Sequence, residues 1–235
     1  MLRLITIRGA QWLTIANLTL SDTSTKWQGY MGSAGSQLRA SASGTTAGPA
    51  GWPDCAVTIG DGSQQITLSR LSFVNLGGCG VIIRDEVVEM TVERSLFSGV
   101  AAHGIMVFGN GQDPAPGGVP REIHIINNVM RNLGTLFSGS GAIEIQGSMF
   151  GEVRRNRISD LPHSAIGLGG SLRRPEALTT NYVVAENVVA DTNKETDDTG
   201  AIVVYVQQKD DLRSNESFVD QSILCVHDAR LTTIV

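Results

Sequence analysis

The chain has 235 residues, a formal net charge of −5, 41% hydrophobic and 17% charged residues. The basic residues are scattered rather than gathered in a stripe, which argues against a nucleic-acid surface, and the apolar runs are too short for a membrane span. Three cysteines cannot supply a disulfide framework. With 27 glycines and many Val, Ile and Thr, the composition points to an all-β fold with tight corners.

Taken in chain order, Met1–Ile7 alternates like a strand and lacks the long apolar core of a signal peptide. Residues 23–54 are rich in Ser, Gly, Ala and Thr, with Trp27 and Trp52, and read as a loop-rich insertion. A repeat begins at residue 55. Residues 55–75 align with residues 79–99 at a shift of 24, matching Cys, Val, Ile, Asp, Thr, Arg and Phe. Each unit is predicted to hold two strands. The first centres on Leu68, Val92, Ile125, Val153 and Val184, with Ile15 as an earlier relative. The second opens on a small residue and alternates, as in Gly104–Val107, Ala142–Ile145, Ala165–Leu168 and Ala201–Val204. In that register Ile105, Ile143, Ile166 and Ile202 point inward, and Met106, Glu144, Gly167 and Val203 outward.

Units this small cannot close a core alone but bury a continuous one when stacked. The expectation is a parallel β-solenoid of about six or seven rungs. Asn128, Asn156 and Asn187 each follow the first-strand anchor by three residues and are predicted to form an amide ladder. Cys55, Cys79 and His103 also share a column. Rung spacing permits a Cys55–Cys79 disulfide, but alternating packing of small thiols is the preferred expectation, and a zinc site the least favoured. Residues 1–235 are read as a single domain, with a weak, incomplete rung over 207–235.

Function is expected where the period breaks. The first-to-second-strand spacing is 13 residues in three rungs and 18 in two. The longer spacings insert corners at Asn132–Gly141 and Asp191–Gly200, flanking the short Asp160–Ser164. This arrangement predicts two walls around a groove with His163 on its floor. The 191–200 wall holds Asp191, Glu195, Asp197 and Asp198 beside Lys194. Carboxylates near a histidine suit acid–base chemistry at a sugar bond; a solvated acidic corner with a turn-bonded histidine is the alternative of equal weight. The candidate catalytic residues are Asp198, Glu195, His163, Asp197 and Glu144. Arg173, Arg174 and Tyr205 are candidate substrate-binding residues, although a tolerated loop is the preferred reading of the insertion carrying the two arginines.

Residues 160–201 contain Asp160-Leu-Pro-His163-Ser-Ala165-Ile, Ala185-Glu186-Asn187-Val and Glu195-Thr-Asp197-Asp198-Thr-Gly200-Ala201-Ile202. This text resembles the right-handed parallel β-helix proteins of the pectate-lyase-like superfamily, and within it carbohydrate-active members such as glycoside hydrolase families 141 and 120. The resemblance implies a secreted or cell-surface protein acting on polysaccharides or other glycans, with Glu195, Asp198 and His163 at the site. The aromatic pair and the Gly-Arg-Asp stretch that often follow in such members are absent, and the text suggests a fragment or degenerate member. Hydrolysis with paired carboxylates and no cofactor is the leading expectation. A lyase or epimerase holding Ca²⁺ on Glu195, Asp197 and Asp198 is the enzymatic alternative, and a non-catalytic glycan-binding or adhesive solenoid the other.

Overall fold

The computed structural model describes residues 3–24, 55–84, 86–109, 118–169, 179–195, 200–205 and 233–234. Of the insertion expected at 23–54, Thr23 closes a strand, and residues 25–54 lie outside the described residues, as do residues 206–232.

The repeat at residue 55 folds as three strands per turn, not two. The first rung is β1 (Ile5–Arg8), β2 (Gln11–Ala16) and β3 (Thr19–Thr23); the second is β4 (Cys55–Gly60), β5 (Gln64–Ser69) and β6 (Ser72–Leu76). Next come β7 (Cys79–Arg84), β8 (Val88–Glu93) and β9 (Leu96–Val100), then β10 (Ile105–Phe108), β11 (Arg121–Ile126) and β12 (Val129–Leu133). The fifth rung is β13 (Ile143–Gln146), β14 (Met149–Arg154) and β15 (Arg157–Ser159), and the sixth β16 (Ile166–Gly169), β17 (Thr180–Ala185) and β18 (Val188–Ala190). β19 (Ile202–Tyr205) opens a seventh, and β20 (Thr233–Ile234) closes the described chain.

Every third strand stacks on its counterpart. Sheet A runs β1-β4-β7-β10-β13-β16-β19, sheet B runs β2-β5-β8-β11-β14-β17-β20, and sheet C is formed by β3, β6, β9, β12, β15 and β18. All pairs between rungs are parallel, Val153 with Val184 among them; only β20 joins antiparallel, on β17. The fold is an all-β parallel β-helix.

Inward positions form unbroken apolar columns. Val57, Val81, Ile105, Ile143, Ile166 and Ile202 line sheet A, and Leu68, Val92, Ile125, Val153 and Val184 line sheet B. All of them belong to one buried core. In sheet C, Phe73 stacks on Phe97 with ring centroids 4.4 Å apart and planes 6° apart. Small residues open the sheet A strands for a steric reason. A Cβ on Gly80 would sit 2.5 Å from the Gly104 carbonyl oxygen, and one on Gly104 would sit 2.8 Å from that of Ala142.

The turn from sheet B to sheet C is made by one residue in left-handed conformation: Asn17, Arg70, Arg94, Asn127, Arg155 or Glu186. The ladder expected just behind it is present. The Asn128 side-chain amide donates to Asn156 Oδ1 at 3.1 Å, and that of Asn156 donates to Asn187 Oδ1 at 3.0 Å. The same amides bond the Val92 and Ile125 carbonyls of the preceding rung, at 2.9 Å each. Buried amides are thereby paired along the axis, as burial of polar groups requires.

Cys55 and Cys79 are joined as a disulfide between neighbouring rungs, their Cα atoms 4.3 Å apart. This replaces the preferred expectation of packed thiols. In-register pairing of the two residues in β4 and β7 brings their side chains together.

Candidate functional site

The outer face of sheet A carries one column in which Ile82, Met106, Glu144, Gly167 and Val203 follow one another from rung to rung. Their outward direction is as expected, but the face is covered. Ile82, Met106 and Phe137 form a second apolar cluster with Ala101, Ala102 and the disulfide. Phe137 belongs to the long corner after β12. That corner folds back on the preceding turn, with the Leu136 and Phe137 amides donating to the Ala101 carbonyl at 3.2 and 3.0 Å.

Glu144 is therefore a carboxylate within a buried, otherwise apolar column. It is 4% exposed. Gln146, two residues on and also outward, donates from Nε2 to Glu144 Oε1 at 3.0 Å. On the other side the carboxylate lies over the backbone of Gly167. A Cβ there would collide with Glu144 Oε2 and come within 3.0 Å of its Cδ. Rung six presents only Gly167 and Gly169 on this face, paired in register with Val203 and Tyr205 of β19. Glu144 and Gln146 thus border a strip of bare backbone. A carboxylate is retained in a buried position where hydrogen bonds compensate its desolvation, and the Gln146 amide supplies one such bond to Glu144.

His163 lies in the corner leading into β16. It is 8% exposed, and its Nδ1 is 3.0 Å from Ser164 Oγ. The expected open floor is closed, because the following corner folds back onto it. Asn193, Lys194 and Glu195 donate their amides to the carbonyls of His163, Leu161 and Pro162, at 3.2, 3.2 and 3.1 Å. The 191–195 segment thus stacks directly on the His163 turn through backbone hydrogen bonds. Lys194 Nζ also bridges to Asp160 Oδ1 at 2.6 Å, and that hydrogen bond raises the lysine pKa.

The other candidates divide cleanly. Glu195 is exposed. Asp197 and Asp198, and Arg173 and Arg174, lie outside the described residues, as does the Tyr205 side chain. The chain on either side of 196–199 is anchored on both flanks of His163, through Glu195 to Pro162 and through the Ala201 carbonyl, which accepts from the Ala165 amide at 2.8 Å. Among the described residues no group of three His, Cys, Asp or Glu side chains could hold a metal ion. The set considered for Ca²⁺ falls partly outside them. Sequence reasoning did not single out Gln146, and read Gly167 as outward without its role as the seat of Glu144. Their signal was present in the aligned strands Ala142-Ile-Glu-Ile-Gln146 and Ala165-Ile-Gly-Leu-Gly169, where outward Glu and Gln face outward glycines.

No family model matches this chain, and no curated protein is similar to it in sequence. One solved structure, a glycoside hydrolase, is similar at a TM-score of 0.55 and 23% identity, over 64% of this chain and 27% of that one. This chain shares its fold with part of a glycoside hydrolase. The match spans little more than a quarter of that protein's length.

Proposed function

We propose that this chain is a carbohydrate-active β-helix protein that hydrolyses glycosidic bonds in a polysaccharide or oligosaccharide. The observation that carries the reading is the Glu144 carboxylate on the outer face of sheet A, held by the Gln146 amide and seated over Gly167. The fold it shares with part of a glycoside hydrolase supports it. Hydrolysis needs an acid to protonate the leaving oxygen and a second carboxylate to attack the sugar or activate water. Glu144 takes one role and Asp198 or Glu195 the other, with His163 orienting a carboxylate or hydroxyl and Asp197 as neighbour. Arg173, Arg174 and Tyr205 are the proposed substrate contacts.

An extracellular or cell-surface location is proposed with it. A disulfide persists in oxidising compartments, and Cys55–Cys79 supports that placement. No helix among the described residues is long and apolar enough to cross a membrane.

The test screens the chain against neutral and uronate polysaccharides, with product analysis. Glu144→Gln and Asp198→Asn should each lower turnover at least about 100-fold while binding persists, as loss of an acid or base does. Unsaturated products would instead indicate a lyase. Unchanged hydrolysis in Glu144→Gln would overturn the assignment of this site.

A further inference from the structure

Sheet B has an outer face that the site on sheet A does not use. Its strands carry a stacked bulge: Trp12, Gln65, Glu89, Glu122, Phe150 and Asn181 all have positive φ, between 54° and 58°. The residues on either side of each pair in register, which places the six in one column. Trp12 is 77% exposed and Phe150 49% exposed. The left-handed region is unfavourable for bulky side chains, and these two rings bury little in return.

Beside Trp12 lies a shallow, open groove of about 580 Å³ that runs over four rungs to Glu122 and His124. Trp12 closes one end. Three threonines, Thr14, Thr67 and Thr91, line it beside the bulge column, followed by His124. Gln65, Glu89 and Glu122 supply an amide and two carboxylates. Among the described residues no lysine or arginine lines it.

We propose that this face binds an uncharged oligosaccharide lying along the solenoid axis, as a glycan site separate from the hydrolytic one. The aromatic ring offers an apolar platform for the C–H face of a sugar, since a ring of this kind combines an apolar surface with low rotamer entropy. The carboxylates, amide and hydroxyls, repeated at the rung spacing of roughly 4.8 Å, accept and donate to sugar hydroxyls in series. Glu89 and Glu122 repel a uronate or sulfated chain. They also disfavour a second copy of this face, which would bring like charges together.

The test uses the full chain with Trp27→Phe and Trp52→Phe, which leaves Trp12 as the single tryptophan reporter. Cellohexaose, xylohexaose and mannohexaose are titrated, with a hexagalacturonate as anionic probe. At least one neutral probe should give a saturable change in Trp12 fluorescence, and the hexagalacturonate none. In the otherwise native chain Trp12→Ala should weaken that probe at least tenfold by calorimetry with an unchanged circular dichroism spectrum, and Trp12→Phe should retain most of the affinity. A second variant, Thr67→Arg, should block binding by filling the groove. Glu144→Gln should bind at Trp12 as the parent does, so this proposal and the hydrolytic one stand or fall separately. Absence of binding by all three neutral probes, stronger binding of the uronate, equal affinity in Trp12→Ala, or Trp12 burial only through self-association would each overturn it.

Discussion

The carboxylate of Glu144 rests on Gly167 of the next rung, in space that any side chain at 167 would occupy. Gly167→Ala therefore forces the carboxylate off its seat. The atom in the way is the end of a flexible side chain, so the chain should still fold, with a stability loss of about 1–3 kcal/mol from overpacking. Under the hydrolytic reading, turnover should fall about 100-fold, as a displaced catalytic group does. In a Glu144→Ala background the same glycine substitution should cost little. A double-mutant cycle by urea denaturation measures that coupling; additive effects would show that the two residues do not compete for the space.

The asparagine ladder should be worth more than its surface neighbours. Asn156→Ala removes a buried acceptor from the Asn128 amides and a donor from the Ile125 carbonyl. Leaving such groups unpaired should cost about 3 kcal/mol or more. Asn127→Gly, next to the ladder but exposed and already left-handed, should shift stability by less than about 0.5 kcal/mol. Equal midpoints in chemical denaturation for the two variants would contradict the ladder's role.

The Cys55–Cys79 bond closes a loop of 24 residues. Chain-entropy arguments give about 3 kcal/mol for a loop of that size. Non-reducing peptide mapping should recover the linked pair, and a phosphine reductant should lower the urea midpoint by a corresponding amount. No change on reduction would mean that stacking of the rungs alone holds β4 on β7.

Arg155 donates from Nε to Glu186 Oε2 at 2.5 Å, across neighbouring rungs at the solenoid surface. This hydrogen bond, followed by the attraction of the guanidinium, holds the Glu186 carboxyl below the ordinary 4.5. A folded-state pKa below the unfolded one gives a contribution present above the unfolded value and lost as pH falls through the folded value. Carbon-detected NMR titration should place the Glu186 midpoint below 4.5, and Arg155→Met should return it to the ordinary range. Both groups are exposed, so high salt should weaken the effect.

The sequence by itself determined the stacking. In a solenoid, residues one repeat apart become neighbours in space, so a repeat of variable length is already a contact map. The columns through Ile105, Ile143 and Ile166, the asparagine ladder and the small residues opening sheet A all followed from it. The third strand did not. Segments such as Ser72–Leu76 are short, and their alternation is broken by a left-handed residue, Asn75. The period of two does not mark such a bend, and glycine marks it only in β9, at Gly99; in β3, β6 and β12 it falls on Asp22, Asn75 and Asn132. The long corners were located by spacing, but their direction was not. Only the tertiary structure folds Phe137 onto Ala101 and the 193–195 amides onto the His163 turn, since those bonds depend on which carbonyls the preceding corner leaves open. The same dependence decided the burial of Glu144. Its outward direction was legible from alternation, whereas its cover and its seat on Gly167 arise from elements that meet only when the rungs are stacked.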